Sequence, residues 1–227
     1  MDRRDRPQAW EPPVVLSAGF PDEDDDVPSA QLLEIEEALL SLTRASLAQG
    51  RRLVLPADPV VVPLVAHTAA EYAEDIRTEA ADVPPPLVHV LLTEGRDDQL
   101  AEALSGLDHV RLAPFSDPRE ERRGRQRLTA EALDELGPSA GVVFGGASES
   151  LDDLELIRAH GIPLYVIGTA LAGRLRERGD LWEYDIVEGA LADVDWGAAE
   201  TDAERSVPYP YVMQVLVERW GPTDARG

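Results

Sequence analysis

A glycine pair followed by polar and acidic residues is the segment of this chain best suited to chemistry. Gly145 and Gly146 close the short apolar stretch 140–144 and lead to Ser148 and Glu149. Glycines let the backbone turn tightly and approach a ligand, and a helix that starts after them directs its free N–H groups and positive dipole end at the same place. The arrangement suits a phosphate or another anion, although such a pair also serves simply to make a turn.

Other turns that follow short apolar stretches are candidates for the same site. These stretches are too short and too apolar for amphipathic helices, so they indicate buried parallel strands. In a doubly wound sheet, ligands bind outside the carboxyl ends of the strands, where the winding reverses. The candidate ligand-binding residues are therefore those of the turns that follow predicted strands, namely Ser17, Gly19, Ala57, Asp58, Gly145, Gly146, Ser148, Glu149, Gly168 and Thr169.

The elements that would position these residues alternate along the chain. Apolar residues recur at three- and four-residue spacing after Ser29, a reasonable N-cap, and stop at Gly50. Strands are predicted at 14–17, 53–55, 87–92, 109–112, 140–144 and 163–167. Helices are predicted at 29–49, 62–80, 97–104, 118–136, 151–160, 169–178 and 209–220.

The expected fold class is α/β, a doubly wound and mainly parallel Rossmann-like sheet of five or six strands with helices on both faces. The 227 residues, 44% of them hydrophobic, suffice for one domain or two small ones. We expect one domain, with a core at 12–178, an extension at 179–221, loose tails at 1–11 and 222–227, and an irregular acidic connection at 189–206.

The composition excludes several classes of function. A net charge of −23 disfavours nucleic acids and anionic membranes as partners. All 21 basic residues are arginines, so Schiff-base lysine chemistry and a Walker-type phosphate loop are excluded. The absence of cysteine excludes disulfides, thiolate metal sites and a cysteine nucleophile. Neither a signal peptide nor a membrane-spanning run is visible, so we expect the cytoplasm as the location.

Three further groups of residues are weaker candidates. The acidic run 22–26 could hold Mg²⁺ or Ca²⁺ but fits no calcium-loop spacing, so no metal site is predicted. The histidines share no motif and are interpreted as structural. The basic cluster of 119–127 could clamp phosphates bidentately or simply pair with neighbouring glutamates. The cluster comprises Arg119, Arg122, Arg123, Arg125 and Arg127.

Three segments carry a family resemblance. They are VVLSAGFPDED (14–24), RRLVLPADPVVVPLVAHTAAEY (51–72) and AGVVFGGASESLDDLELIRAHGIPLYVIGTA (140–170). In this order they resemble the SLOG superfamily of Rossmann-like domains, most of all its small prokaryotic branches tied to nucleotide-derived signals and conflict systems. The resemblance implies that a nucleotide or NAD-derived ligand binds at the strand-end loops. Several members sense such ligands; others are phosphoribohydrolases that cleave a nucleoside monophosphate at its glycosidic bond.

The chain departs from the hydrolase branch at the glycine pair. That branch carries Gly-Gly, any residue, Gly-Thr, two residues and then Glu. Here Ser148 and Glu149 stand in place of Gly-Thr, and Asp152 in place of the Glu. These differences favour a module that senses a nucleotide and signals to a protein effector, and self-association is compatible with it. The alternative is a phosphoribohydrolase or related N-glycosidase with Asp152 as its catalytic residue. A structural subunit with a vestigial pocket also fits.

Overall fold

The computed structural model describes residues 10–19, 29–79, 86–92, 97–114, 128–145, 148–167 and 209–220. Among these residues, no helix combines the length and the apolar character needed to cross a membrane.

Strands and helices alternate through the described chain. Short apolar runs such as Val88–Leu92 form the strands, and longer segments with apolar residues on one side form the helices. The strands are β1 (Glu11–Gly19), β2 (Arg51–Pro56), β3 (Val88–Leu92), β4 (Val110–Pro114), β5 (Ala140–Gly145) and β6 (Leu164–Ile167). The helices are α1 (Ser29–Ala48), α2 (Val61–Glu79), α3 (Asp98–Leu104), α4 (Ala130–Leu136), α5 (Ser148–Ala159) and α6 (Tyr209–Arg219).

The six described strands form one parallel sheet in the order β4-β3-β2-β1-β5-β6. From β1 to β4 each strand is added on the same side of the one before it. The chain then returns to the other side of β1 to place β5 and β6. The winding therefore reverses between β1 and β5. This confirms the expected Rossmann-like α/β fold and identifies its topological switch point.

Helices cover both faces of the sheet. The first face packs against α1, α2, α3 and α6 around Leu16, Leu55 and Phe144. The second face packs against α4 and α5 around Val15 and Val143. Right-handed crossovers explain this division, because reversing the direction of winding moves the connecting helices to the opposite face.

The structure corrects two predicted boundaries. β1 begins at Glu11, within the segment expected to be a loose tail, and a register irregularity between Glu11 and Val14 accommodates the two prolines. The helix predicted at 118–136 does not continue through Thr129. That residue is extended, and its hydroxyl oxygen accepts the N–H of Ala132 at 3.1 Å, so α4 begins only at Ala130.

Other predicted elements lie outside the described residues. They are the helix at 169–178, the acidic connection at 189–206, and the segment 118–127 of the predicted long helix.

Candidate functional site at the switch point

The ends of β1 and β5 meet at the switch point through a pair of glycines. Gly19 is in register with Gly145, and Ser17 with Val143. Because both strands are parallel, their last residues lie together at the carboxyl edge of the sheet, the edge where all six strands end. α5 begins at Ser148, three residues after Gly145, so the start of this helix lies at the same edge.

Ser17 is not the last residue of its strand, as predicted, because β1 continues through Ala18 to Gly19. Its side chain is 2% exposed and lies on the second face, where its hydroxyl donates to Asp153 Oδ2 at 2.7 Å. The other carboxylate oxygen of Asp153 accepts the backbone N–H of Leu128 at 3.0 Å. Asp153 is 1% exposed. This buried carboxylate therefore joins β1, α5 and the segment that leads into α4, directly below the switch point.

A glycine on β5 sets how closely α5 packs on the sheet. A Cβ atom on Gly141 would lie 2.6 Å from Cγ2 of Ile157 and 3.2 Å from its Cδ1. Only a residue without a side chain allows Ile157, in the last turn of α5, to rest directly on the β5 backbone. Gly141 is the second residue of β5, so this contact holds the end of α5 close to the sheet, away from the carboxyl edge.

Asp58, at the end of β2, caps the following helix. Its Oδ1 accepts the N–H groups of Val60 at 2.8 Å and Val61 at 2.9 Å, and its carbonyl accepts that of Val62 at 3.1 Å. The preceding Ala57 is 8% exposed and donates its N–H to the carbonyl of Leu91. A carboxylate of the chain therefore occupies the N-terminus of α2, the place where an anion would otherwise bind.

Several predicted site residues lie outside the described residues or have side chains that do. Gly146, Gly168 and Thr169 are in the first group, together with the acidic run 22–26 and the arginines of 119–127. The backbones of Ser148, Glu149 and Asp152 belong to α5, but their side chains lie outside the described part. Among the described residues, no group of three or more His, Asp or Glu side chains could hold a metal ion.

Asp153 is the site residue that reasoning from sequence missed. A signal for it exists in the helix pattern. Leu154 and Ile157 form the buried stripe of α5, and Asp153 precedes Ile157 by four residues on that stripe. A carboxylate on the apolar side of a helix requires hydrogen-bond donors in the core, and here they are Ser17 and Leu128.

A second buried charge lies at the opposite edge of the sheet. Arg51 is 3% exposed, its Nη1 donates to Ser139 Oγ at 2.9 Å, and its guanidinium carbon lies 5.8 Å from the ring centroid of Trp220. Burial lowers the pKa of Arg51, and the charge of Glu11 raises it in part. The contact with Trp220 anchors the end of α6 at the amino edge, away from the switch point.

His89 lies on β3, as predicted, and its side chain is buried. Burial above all, together with the positive charges of Arg52 and Arg111, lowers the pKa of His89 from 6.5 to about 4. His109, also predicted to lie in a strand, instead precedes β4, and its Nε2 lies 2.9 Å from the carbonyl oxygen of Ala66.

No family model, curated protein or solved structure matches this chain. The resemblance to the SLOG superfamily therefore rests on the three sequence segments given above.

Proposed function

We propose that the chain binds a nucleotide or NAD-derived small molecule at the carboxyl ends of β1 and β5. The observation that carries the proposal is the register pair Gly19–Gly145 at the topological switch point. Ligands of open α/β sheets bind at such points, because the connections diverge to opposite faces there and leave a crevice. Glycines on both strands leave room for a ligand to approach the backbone.

The arrangement of helix α5 supports an anionic group in that ligand. α5 starts at this edge, so the positive end of its dipole lies at the switch point. By contrast, Asp58 already occupies the start of α2. A phosphate would therefore be favoured beside α5 and disfavoured beside α2. Asp153 holds α5 against β1 through Ser17, so the geometry of the crevice is fixed before a ligand arrives.

We also propose that the chain signals the binding of its ligand to a protein partner. This part of the proposal rests on the sequence resemblance to small signalling branches of the SLOG superfamily. The alternative, hydrolysis of a nucleoside monophosphate, would require a catalytic carboxylate at Asp152.

Thermal unfolding with a ligand panel tests the proposal. AMP, other nucleoside monophosphates, NAD and ADP-ribose are added singly to the wild type. A ligand at 100 times its Kd stabilises the folded state by about 2.7 kcal/mol. For a chain of this size that corresponds to a rise in Tm of about 5–10 °C. We expect at least one member of the panel to produce such a rise, and native mass spectrometry of the freshly purified protein to show a bound nucleotide.

A glycine variant locates the binding. Gly146→Val adds a branched side chain at the pair that follows β5 and should remove the rise in Tm. The matched control is Gly106→Val, since a Cβ atom at Gly106 has no atom of the described structure within 4 Å. This control should respond to ligand like the wild type. If Gly146→Val also responds fully, or if no ligand of the panel stabilises the wild type, the proposal is wrong.

A further inference from the structure

A row of basic side chains crosses the second face of the sheet away from the switch point. Arg52, His89 and Arg111 come from β2, β3 and β4. His89 is in register with Arg111 on one side and with Val54 on the other, and Arg52 precedes Val54 by two residues. Residues two apart on a strand share a face, and Val54 packs with the core of the second face. The three residues, called here the basic row, therefore project from the same face.

Two nitrogen atoms of the basic row are buried without a hydrogen-bond partner among the described residues. They are Arg52 Nε and His89 Nε2, and the whole of His89 is only 4% exposed. Buried polar atoms in folded proteins are nearly always paired, so an unpaired one requires an explanation such as an absent ligand. Here two of them belong to side chains on adjacent strands of the same face.

The charge of the basic row is unusual for this chain. The whole protein carries a net charge of −23, yet the two strands that flank the strand of His89 each contribute an arginine to the same face. Each arginine disfavours a charge on His89, so both guanidinium groups lie within electrostatic reach of the imidazole. An anion among them would remove this repulsion and supply hydrogen-bond acceptors.

We propose that Arg52, His89 and Arg111 bind an oxyanion of the phosphate type on the second face of the sheet. Adjacent strands lie about 4.8 Å apart, and Arg52 is two residues, about 6.6 Å, out of level with Arg111, so the two arginines start roughly 12 Å from each other on either side of β3. Their long side chains can converge above His89. A tetrahedral oxyanion offers acceptors to three donors that approach from different directions, whereas a carboxylate has only two oxygens to share among them.

This site is separate from the one at the switch point. His89 lies three residues before Leu92, the end of β3, which places it about 10 Å from the carboxyl edge. β2 also lies between β3 and β1 in the sheet. The two proposals can therefore be tested independently, and the failure of one does not decide the other.

Titration with inorganic phosphate tests the proposal in the full chain. Isothermal titration calorimetry gives the affinity, and long-range ¹H–¹⁵N correlation NMR follows the ring nitrogens of the four histidines. We expect saturable binding that shifts the His89 signals and raises the pKa of His89. Arg52→Gln and Arg111→Gln should each weaken binding about tenfold, the usual effect of losing a hydrogen bond to a charged group.

The matched control is Arg44→Gln, which makes the same change of charge elsewhere. Arg44 is on α1, and its exposed side chain lies 3.8 Å from Glu71. This control should bind phosphate like the wild type, so it separates a specific site from the general stabilising effect of phosphate. Arg111 is exposed, so its variant keeps the test valid even if Arg52→Gln impairs folding.

Three results would overturn the proposal. The first is no saturable binding of phosphate at millimolar concentration. The second is equal binding by all three arginine variants. The third is binding that leaves the His89 signals unchanged, persists in Arg52→Gln and disappears in Gly146→Val, which would assign the phosphate to the switch point.

Discussion

Ser17 and Asp153 are 136 residues apart in the chain and are joined by a buried hydrogen bond of 2.7 Å. Ser17 lies near the end of β1, one of the two strands that flank the reversal of the sheet, and Asp153 lies in α5, the helix that follows the other, β5. The second carboxylate oxygen takes the N–H of Leu128, so one side chain connects three segments. Apolar packing alone tolerates sliding, whereas these directional bonds fix where α5 lies relative to β1.

Removing the carboxylate of Asp153 should destabilise the fold strongly. In Asp153→Ala the Ser17 hydroxyl and the Leu128 N–H lose their acceptors in the core, and we expect the free energy of unfolding to fall by about 3 kcal/mol. Asp153→Asn should cost only about 1 kcal/mol, because its carbonyl can accept from Leu128 while its amide donates to the rotatable Ser17 hydroxyl. Urea denaturation of the three proteins measures both values.

The control for this prediction is a double-mutant cycle with Ser17→Ala. If the hydrogen bond is the interaction that matters, the loss of unfolding free energy in the double variant Ser17→Ala/Asp153→Ala should be smaller than the sum of the two single losses. The difference should be at least about 1 kcal/mol. Simple additivity would show that Asp153 stabilises the fold through other contacts.

Filling the space at Gly141 should push α5 away from the sheet. Gly141→Ala places a methyl group 2.6 Å from Cγ2 of Ile157, and overpacking of this kind costs about 1–3 kcal/mol. Thermal and urea unfolding give the loss. Gly106→Ala should change stability by less than about 0.5 kcal/mol, since no atom that the structure describes lies within 4 Å of the added one. Adding Ile157→Ala to Gly141→Ala should cost less than the two separate losses together; a full sum would contradict the close contact.

The sequence pattern predicts the sheet well because each strand is a short apolar run covered on both faces. The pattern is less reliable at strand ends, where Ala18 and Gly19 look like a turn but continue β1 through pairing with β5. Such pairing depends on residues more than a hundred positions away and leaves no local signal. Asp153 is different, since its place on the apolar stripe of α5 is visible in the sequence.

The candidate site is predictable only to the level of the strand ends. The sequence places Asp58 at the end of β2, and the structure agrees. The type of residue does not tell whether the carboxylate of Asp58 faces a ligand or its own helix. The turn Asp58-Pro59-Val60 decides this, because it directs both Oδ1 and the carbonyl oxygen of Asp58 toward α2. Local backbone angles, and not residue type, decide between those roles.

Replacing Asp58 tests this capping role. Asp58→Ala removes the acceptor for Val60 and Val61 and should cost about 1 kcal/mol of stability. Asp58→Asn should cost much less, because asparagine caps helices about as well as aspartate. Chemical denaturation compares the two variants with the wild type. Equal losses in both would indicate that the negative charge, and not the capping geometry, stabilises α2.

His89 should make the stability of the protein depend on pH in oxyanion-free buffer. Its pKa is about 4 in the folded protein and 6.5 as the ordinary value, so between these values the unfolded chain binds more protons. As far as His89 is concerned, the free energy of unfolding is therefore highest above pH 6.5 and decreases as the pH falls toward 4. At pH 5 the loss relative to pH 7.5 should be about 2 kcal/mol.

The matched variant for this measurement is His89→Gln, since many carboxylates also titrate below pH 6. The difference in unfolding free energy between wild type and variant, measured by urea denaturation at pH 5.0, 6.0 and 7.5, isolates the histidine. As the pH falls, the wild type should lose stability relative to His89→Gln. A difference that stays constant across this range would show that His89 has an ordinary pKa in the folded protein.

The last prediction separates a sensor from an enzyme at the switch point. Both carboxylate oxygens of Asp153, in α5, accept hydrogen bonds within the core, so this residue has a structural role. A hydrolase would have to rely on its neighbour Asp152, and aspartate is one methylene shorter than the glutamate of the phosphoribohydrolases that the sequence segments resemble. A displacement of about 1 Å can cost around a hundredfold in rate. We therefore expect the wild type to release no appreciable free base from AMP, other nucleoside monophosphates or NAD, as followed by chromatography.

Asp152→Asn is the decisive variant for that comparison. A sensor should keep its ligand-induced rise in Tm in this variant, or bind a phosphate more tightly because a negative charge near it is gone. Glu155→Gln, an exposed carboxylate farther along α5, provides the control for a change of charge alone. Release of free base by the wild type that disappears in Asp152→Asn but persists in Glu155→Gln would establish the N-glycosidase instead, with Asp152 as its catalytic carboxylate.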